Sequence, residues 1–130
     1  MIIDEDVLGS LIAEAKQSSR LRKNFNLHES LAVPVQRMFN AIEPSSIIPI
    51  ARHRNTDETI IIIKGKLRVT TYNDVKEVIE DIVLDARNGV YACHILKGVW
   101  HKAQSLESGT IIFEVKQGPY QPLESIDILE

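Results

Sequence analysis

Three side chains in this sequence have the types and spacing to hold a metal ion. Four residues separate His53 from Glu58, and His101 closes a second segment, Leu96-Lys97-Gly98-Val99-Trp100-His101. Imidazole and carboxylate are the common ligands of zinc, iron, manganese and nickel. Turn residues follow His53 (Arg54-Asn55-Thr56-Asp57) and precede His101 (Lys97-Gly98). The apolar run Ile60-Ile61-Ile62-Ile63 comes directly after Glu58 and Thr59.

Those groups need a scaffold, and 130 residues suffice for one domain with a useful core. Aromatics make up only 5% of the chain, so that core must be mostly aliphatic. A net charge of -3 offers no attraction to nucleic acid or to an anionic membrane. The apolar runs are too short to span a bilayer, and the acidic start (Met1-Ile2-Ile3-Asp4-Glu5-Asp6) is unlike a secretory signal. Cys93 is the single cysteine, so no intrachain disulfide forms. These features lead us to expect a cytoplasmic single-domain protein.

Residues 4–19 have the pattern of an amphipathic helix. Asp4 is the N-cap candidate, Glu5 and Asp6 suit the first turn, and Ile3 and Leu8 have staple spacing. Val7, Leu8, Leu11, Ile12 and Ala15 form an apolar stripe that must lie on a sheet. Beyond it the period changes, and strands are predicted over 24–28, 35–42, 46–51, 58–64, 66–72, 76–84, 90–96 and 110–116. Residues 35–42 also fit a helical face, but strand is preferred. Short strands separated by regular turns indicate an antiparallel sandwich or barrel, here spanning 24–117 with a tail over 118–130. If Glu58 faces inward, Ile60 and Ile62 share its face while Ile61 and Ile63 point outward. An outer face so apolar needs the N-terminal helix or a second subunit to cover it, which suggests a homodimer.

The chain resembles the cupin superfamily. His53, Glu58 and Gly65 fall in register with the first cupin motif, and Gly98 and His101 with the second, where Leu96 replaces a proline. More closely it is similar to the small WbuC-type cupin fold metalloproteins. That likeness spans residues 20–122 and rests on Arg22-Lys23-Asn24-Phe25-Asn26-Leu27-His28, Val35-Gln36-Arg37-Met38-Phe39-Asn40-Ala41, Gly98-Val99-Trp100-His101 and Phe113-Glu114-Val115-Lys116-Gln117-Gly118-Pro119-Tyr120. It implies a double-stranded β-helix, or jelly roll, with a site inside one end, in proteins associated with polysaccharide gene clusters. The motif's first histidine falls on Ala51, which has no donor atom. A site of three histidines and one glutamate is thereby reduced to His53, Glu58 and His101. That set either binds a divalent metal (Zn, Fe, Mn or Ni) with open positions or is usually empty, with His28 and His94 as candidate substitutes for the missing ligand.

Asn26, His28, Gln36 and Arg37 fit equally well as contacts to a small polar ligand or as ties between the N-terminal segment and the barrel. Trp100 is expected to pack at the barrel end with its N–H on an acceptor, and Tyr120 and Lys116 to border the pocket mouth. Arg52 and Arg54 have the opposite parity to His53 and are expected in solvent, and Cys93 is expected to be an inert buried thiol. The favoured reading is a pocket for a small polar, carbohydrate-related ligand beside a degenerate metal site. The rival is a metal- or histidine-dependent enzyme of sugar metabolism, isomerase- or oxygenase-like.

Overall fold

The computed structural model describes residues 1–129. Helix α1 spans Glu5–Gln17, and its N-cap Asp4 accepts the Val7 N–H at 3.1 Å. The helix stops two residues short of the expected end because Ser18 is extended. Leu8, Leu11 and Ala15 bury the apolar stripe against Ala41 and Ile111, flanked by Phe25 and Phe39.

Ten strands follow: β1 (Arg22–Asn26), β2 (Val35–Ile42), β3 (Ile50–Ala51), β4 (Glu58–Lys64), β5 (Leu67–Tyr72), β6 (Val78–Leu84), β7 (Ala92–Ile95), β8 (Trp100–Ser105), β9 (Thr110–Gln117) and β10 (Ile128–Leu129). They form two five-stranded antiparallel sheets, ordered β1-β2-β9-β4-β7 and β10-β3-β8-β5-β6. The mainly β sandwich with one packed helix agrees with expectation. Residues 35–42 are a strand, and β2 pairs along its whole length with β9.

Three details differ from the sequence reading. Strand β8 was not foreseen, because its inward residues are His101, Ala103 and Ser105, which give no apolar alternation. Of the predicted strand 46–51 only Ile50 and Ala51 pair. The last residues are not a free tail: Ile128 pairs with Ala51 and Leu129 with Ile50.

Between the sheets lies an aliphatic core of Ile42, Ile60, Ile62, Leu67, Val69, Leu84, Ile95 and Ile112. Each such buried side chain contributes roughly 1.5–3 kcal/mol. Glu58, Ile60 and Ile62 are all buried, so the parity expected of β4 is observed. Gly65 turns β4 into β5 at φ 80°, and a Cβ there would collide with Thr110. The helix covers β1, β2 and β9 but reaches β4 through Glu5, whose carboxylate binds Lys64 at 2.7 Å. Ile61 is left half-buried and Ile63 40% exposed. No helix among the described residues is long and apolar enough to cross a membrane.

Candidate metal centre

Two loops carry the histidines to the end of β4, and backbone hydrogen bonds lace them together. Gly98 N–H donates to the His53 carbonyl at 2.7 Å, and Lys97 N–H to Asp57 Oδ1 at 2.8 Å. Gly98 holds φ 81°, a conformation that favours glycine. His101 then enters β8 directly opposite Ala51, on the inward face.

Glu58 is the centre of the cluster. His53 Nε2 lies 3.3 Å and His101 Nε2 3.7 Å from Glu58 Oε2, and one donor atom from each residue falls within 4.8 Å of the others. Donor atoms around a four-coordinate ion at about 2.0–2.1 Å sit roughly 3.3 Å apart. His53 approaches Glu58 Oε2 off the line of a hydrogen bond, so that oxygen is buried without a hydrogen-bonding partner. The Nδ1 of His101 stands 3.0 Å from the Val99 carbonyl. A carbonyl only accepts, so in the neutral ring Nδ1 carries the proton and Nε2 presents its lone pair to the cluster. Two ring nitrogens and an orphaned carboxylate oxygen thus converge, a donor set that suits a divalent transition metal.

A second acid stands behind the first. Glu114 on β9 faces inward, opposite Ile60, and shares a hydrogen bond with Glu58. Asn40 Nδ2 donates to Glu114 Oε2 at 3.4 Å. Burial pushes Glu114 well above the ordinary carboxylate range, and the Glu58 charge pushes it further, with Asn40 and Lys116 only partly opposing. Burial also raises Glu58. The close approach of the His53 ring, the hydrogen bond from Glu114 and the charges of His101 and His53 outweigh it and hold Glu58 down to about 2. The pair therefore shares its proton unequally, with Glu114 as donor and Glu58 as anion. Glu114 went unassigned in the sequence, because only the pairing of β9 with β4 shows that it faces inward.

The remaining candidates are dispersed. His28 is buried, and its Nδ1 lies 3.2 Å from both N and O of Arg37, tying the segment after β1 to β2. His94 is on the outer face, with Nδ1 2.9 Å from Thr59 Oγ1 and Nε2 3.6 Å from Asp57. Neither joins the cluster. Asn26 is exposed and accepts from Asn24 at 2.6 Å, while Arg37 is exposed on the face opposite Gln36. Gln36 is 1% exposed, and both of its amide atoms lack hydrogen-bond partners. Trp100 is buried, with Nε1 donating to Asp74 at 2.8 Å. Tyr120 is 45% exposed, and its backbone N–H reaches Leu31. Cys93 is half-buried against the core, and burial, then the charges of Glu58 and Glu80, push its thiol up to about 11.

Arg52 and Arg54 correct the sequence reading. They are not merely solvated: Arg54 Nε meets the buried Asp127 at 2.7 Å and Arg52 Nε lies 3.5 Å from it. The Arg52 guanidinium also stacks over Trp100 at 4.4 Å. Both lie in the loop after β3, where the returning C-terminal segment engages them.

These sheets and their inward cluster define a cupin-like sandwich. Residues 3–84 match the family model described as Domain of unknown function (DUF6016), and the chain belongs to that family. No curated protein matches the sequence. Among solved structures, KdgF from Halomonas sp. is similar over 77% of this chain and 82% of its own, at 13% identity and a TM-score of 0.59. A cupin-2 domain containing protein from Shewanella frigidimarina matches over 72% and 78%, at 24% identity and a TM-score of 0.53. Bacillus subtilis oxalate decarboxylase, described with Mn(II) centres, matches over 78% of this chain and 26% of its own, at 16% identity and a TM-score of 0.57. At these identities the likeness establishes the fold.

Proposed function

We propose that this protein is a WbuC-type small cupin whose barrel end takes a small polar ligand beside a three-ligand metal site. The observation that carries the reading is the convergence of His53, His101 and the unpartnered Glu58 oxygen in a buried setting. Ala51 leaves that site one ligand short of the four implied by the cupin motifs, so a bound ion keeps open positions. Manganese is described for one fold relative, and zinc, iron and nickel suit the same donors. Such an ion would act as a Lewis acid toward a ligand oxygen.

The chain's own residues do the rest. The Val99 carbonyl fixes the His101 ring, Glu114 holds the Glu58 carboxylate, and the paired loops hold His53 in place. Support for a carbohydrate-related ligand comes only from the polysaccharide gene clusters with which the similar WbuC-type proteins are associated. We place the protein in the cytoplasm on its single cysteine.

Elemental analysis of tag-free protein beside His101→Ala tests the reading. Near-stoichiometric metal in the parent, lost in the variant, is expected. A parent that takes up no metal from a stoichiometric excess of Mn, Fe, Zn or Ni would sink it. A second reading then stands, favoured by the 3.3 Å contact of His53 with Glu58: the imidazole and carboxylate work as an acid–base pair without metal.

A further inference from the structure

A recess of about 380 Å³ opens onto His53, bordered by Arg52, Arg54, Lys116, Gln121 and Asp127. The two arginines are already engaged: Asp127 takes both, and the exposed Glu124 takes Arg54 at 3.2 Å. Lys116 is different. It is half-buried, and no ion pair involving it occurs among the described residues.

Lys116 also has a defined place in the sheet. It pairs with Glu58 of β4 on one side and with Gln36 of β2 on the other, so the three side chains stand in one inward row. The row runs from a buried amide without partners, through a free ammonium, to the metal-site carboxylate. Gln36 is buried and does not border the recess, so Lys116 is the member of the row that a ligand there reaches. Apart from the His53 imidazole, no aromatic ring borders the recess to stack against a neutral sugar face.

We propose that the ligand is a small carboxylate, its acid group held by Lys116 and its other oxygens turned toward His53 and the cluster behind it. This rests on the reading of the barrel end as a ligand site and names the class of ligand it takes. The recess holds three cationic side chains against two acids, so it carries a surplus positive charge before any metal binds.

The test is titration of galacturonate and of galactose, which differ by a carboxylate in place of a hydroxymethyl group, into the metal-loaded protein, followed by NMR. Galacturonate is expected to bind at least about tenfold more tightly, the range of one charge-assisted hydrogen bond. Lys116→Met is expected to reduce that ratio to within about twofold and Lys116→Arg to keep most of it, in line with the charge each carries. Equal binding of the two sugars, binding of neither, or an unchanged ratio in a folded Lys116→Met would each overturn the proposal. Metal content measured on the same samples reports on the metal site separately, so failure of one reading is not mistaken for failure of the other.

Discussion

Ala51 faces His101 across the β3–β8 ladder, with both side chains on the inner face of the barrel. The position of the missing motif histidine is therefore beside a candidate ligand, 9% exposed, on a strand held by β10. A histidine placed there starts within reach of the cluster. Ala51→His is expected to raise metal affinity by at least tenfold and to slow loss of metal to a chelator. Unchanged chelator kinetics in a folded variant would show that position 51 does not face the centre.

Asp127 is the one buried acid that holds both Arg52 and Arg54, and it lies next to β10. Its backbone carbonyl also accepts the Arg52 N–H at 3.0 Å. Removing the carboxylate leaves the partly buried Arg52 without its counter-charge. Asp127→Ala is expected to lower stability by about 2 kcal/mol, discounted from the cost of breaking a fully buried pair because Arg54 is substantially exposed. Urea denaturation measures it; a change below about 0.5 kcal/mol, the range of an ordinary surface substitution, would make the clamp incidental.

The outer face of β4 supports a prediction about assembly. Ile61 sits opposite Phe113, both half-buried, and Ile63 beside them is 40% exposed. The helix covers the neighbouring strands and leaves this strip. A homodimer through it is expected, with sedimentation giving twice the monomer mass and Ile63→Lys shifting the equilibrium to monomer. A parent that sediments as monomer at about 100 μM would rule out a dimer of even modest micromolar affinity.

The sequence shows the site more clearly than the frame around it. His53, Glu58 and His101 were legible from their register in two short motifs, although His53 lies in the loop before β4 and His101 on the unforeseen β8. Strand β8 was invisible because its inward face is His101, Ala103 and Ser105, polar and small where periodicity looks for apolar residues. Glu114 was hidden for the converse reason: an acid within Ile111-Ile112-Phe113-Glu114-Val115 reads as a solvent-facing break, and only the pairing of β9 with β4 turns it inward. The partners of Arg52 and Arg54 come from a segment more than seventy residues later (Asp127), a distance at which local pattern carries no information.

Glu58 and Glu114 should leave opposite marks on the pH dependence of the metal-free protein. Glu58 is held at about 2 against an ordinary 4.5, so between those values the unfolded chain binds more protons and stability rises with pH. Glu114 is raised well above 4.5, so above that pH the folded chain keeps the extra proton and stability falls as pH rises through its folded value. The contribution of this pair therefore peaks near pH 4.5. Glu114→Gln keeps an N–H donor for Glu58 while removing the titration, and is expected to flatten the fall above pH 4.5 and to be more stable than the parent at neutral pH. Melting temperatures of the two proteins from pH 4 to 8, in a chelating buffer, make the comparison. Parallel curves would mean that Glu114 ionises normally, and that Glu58 is held by the histidines alone.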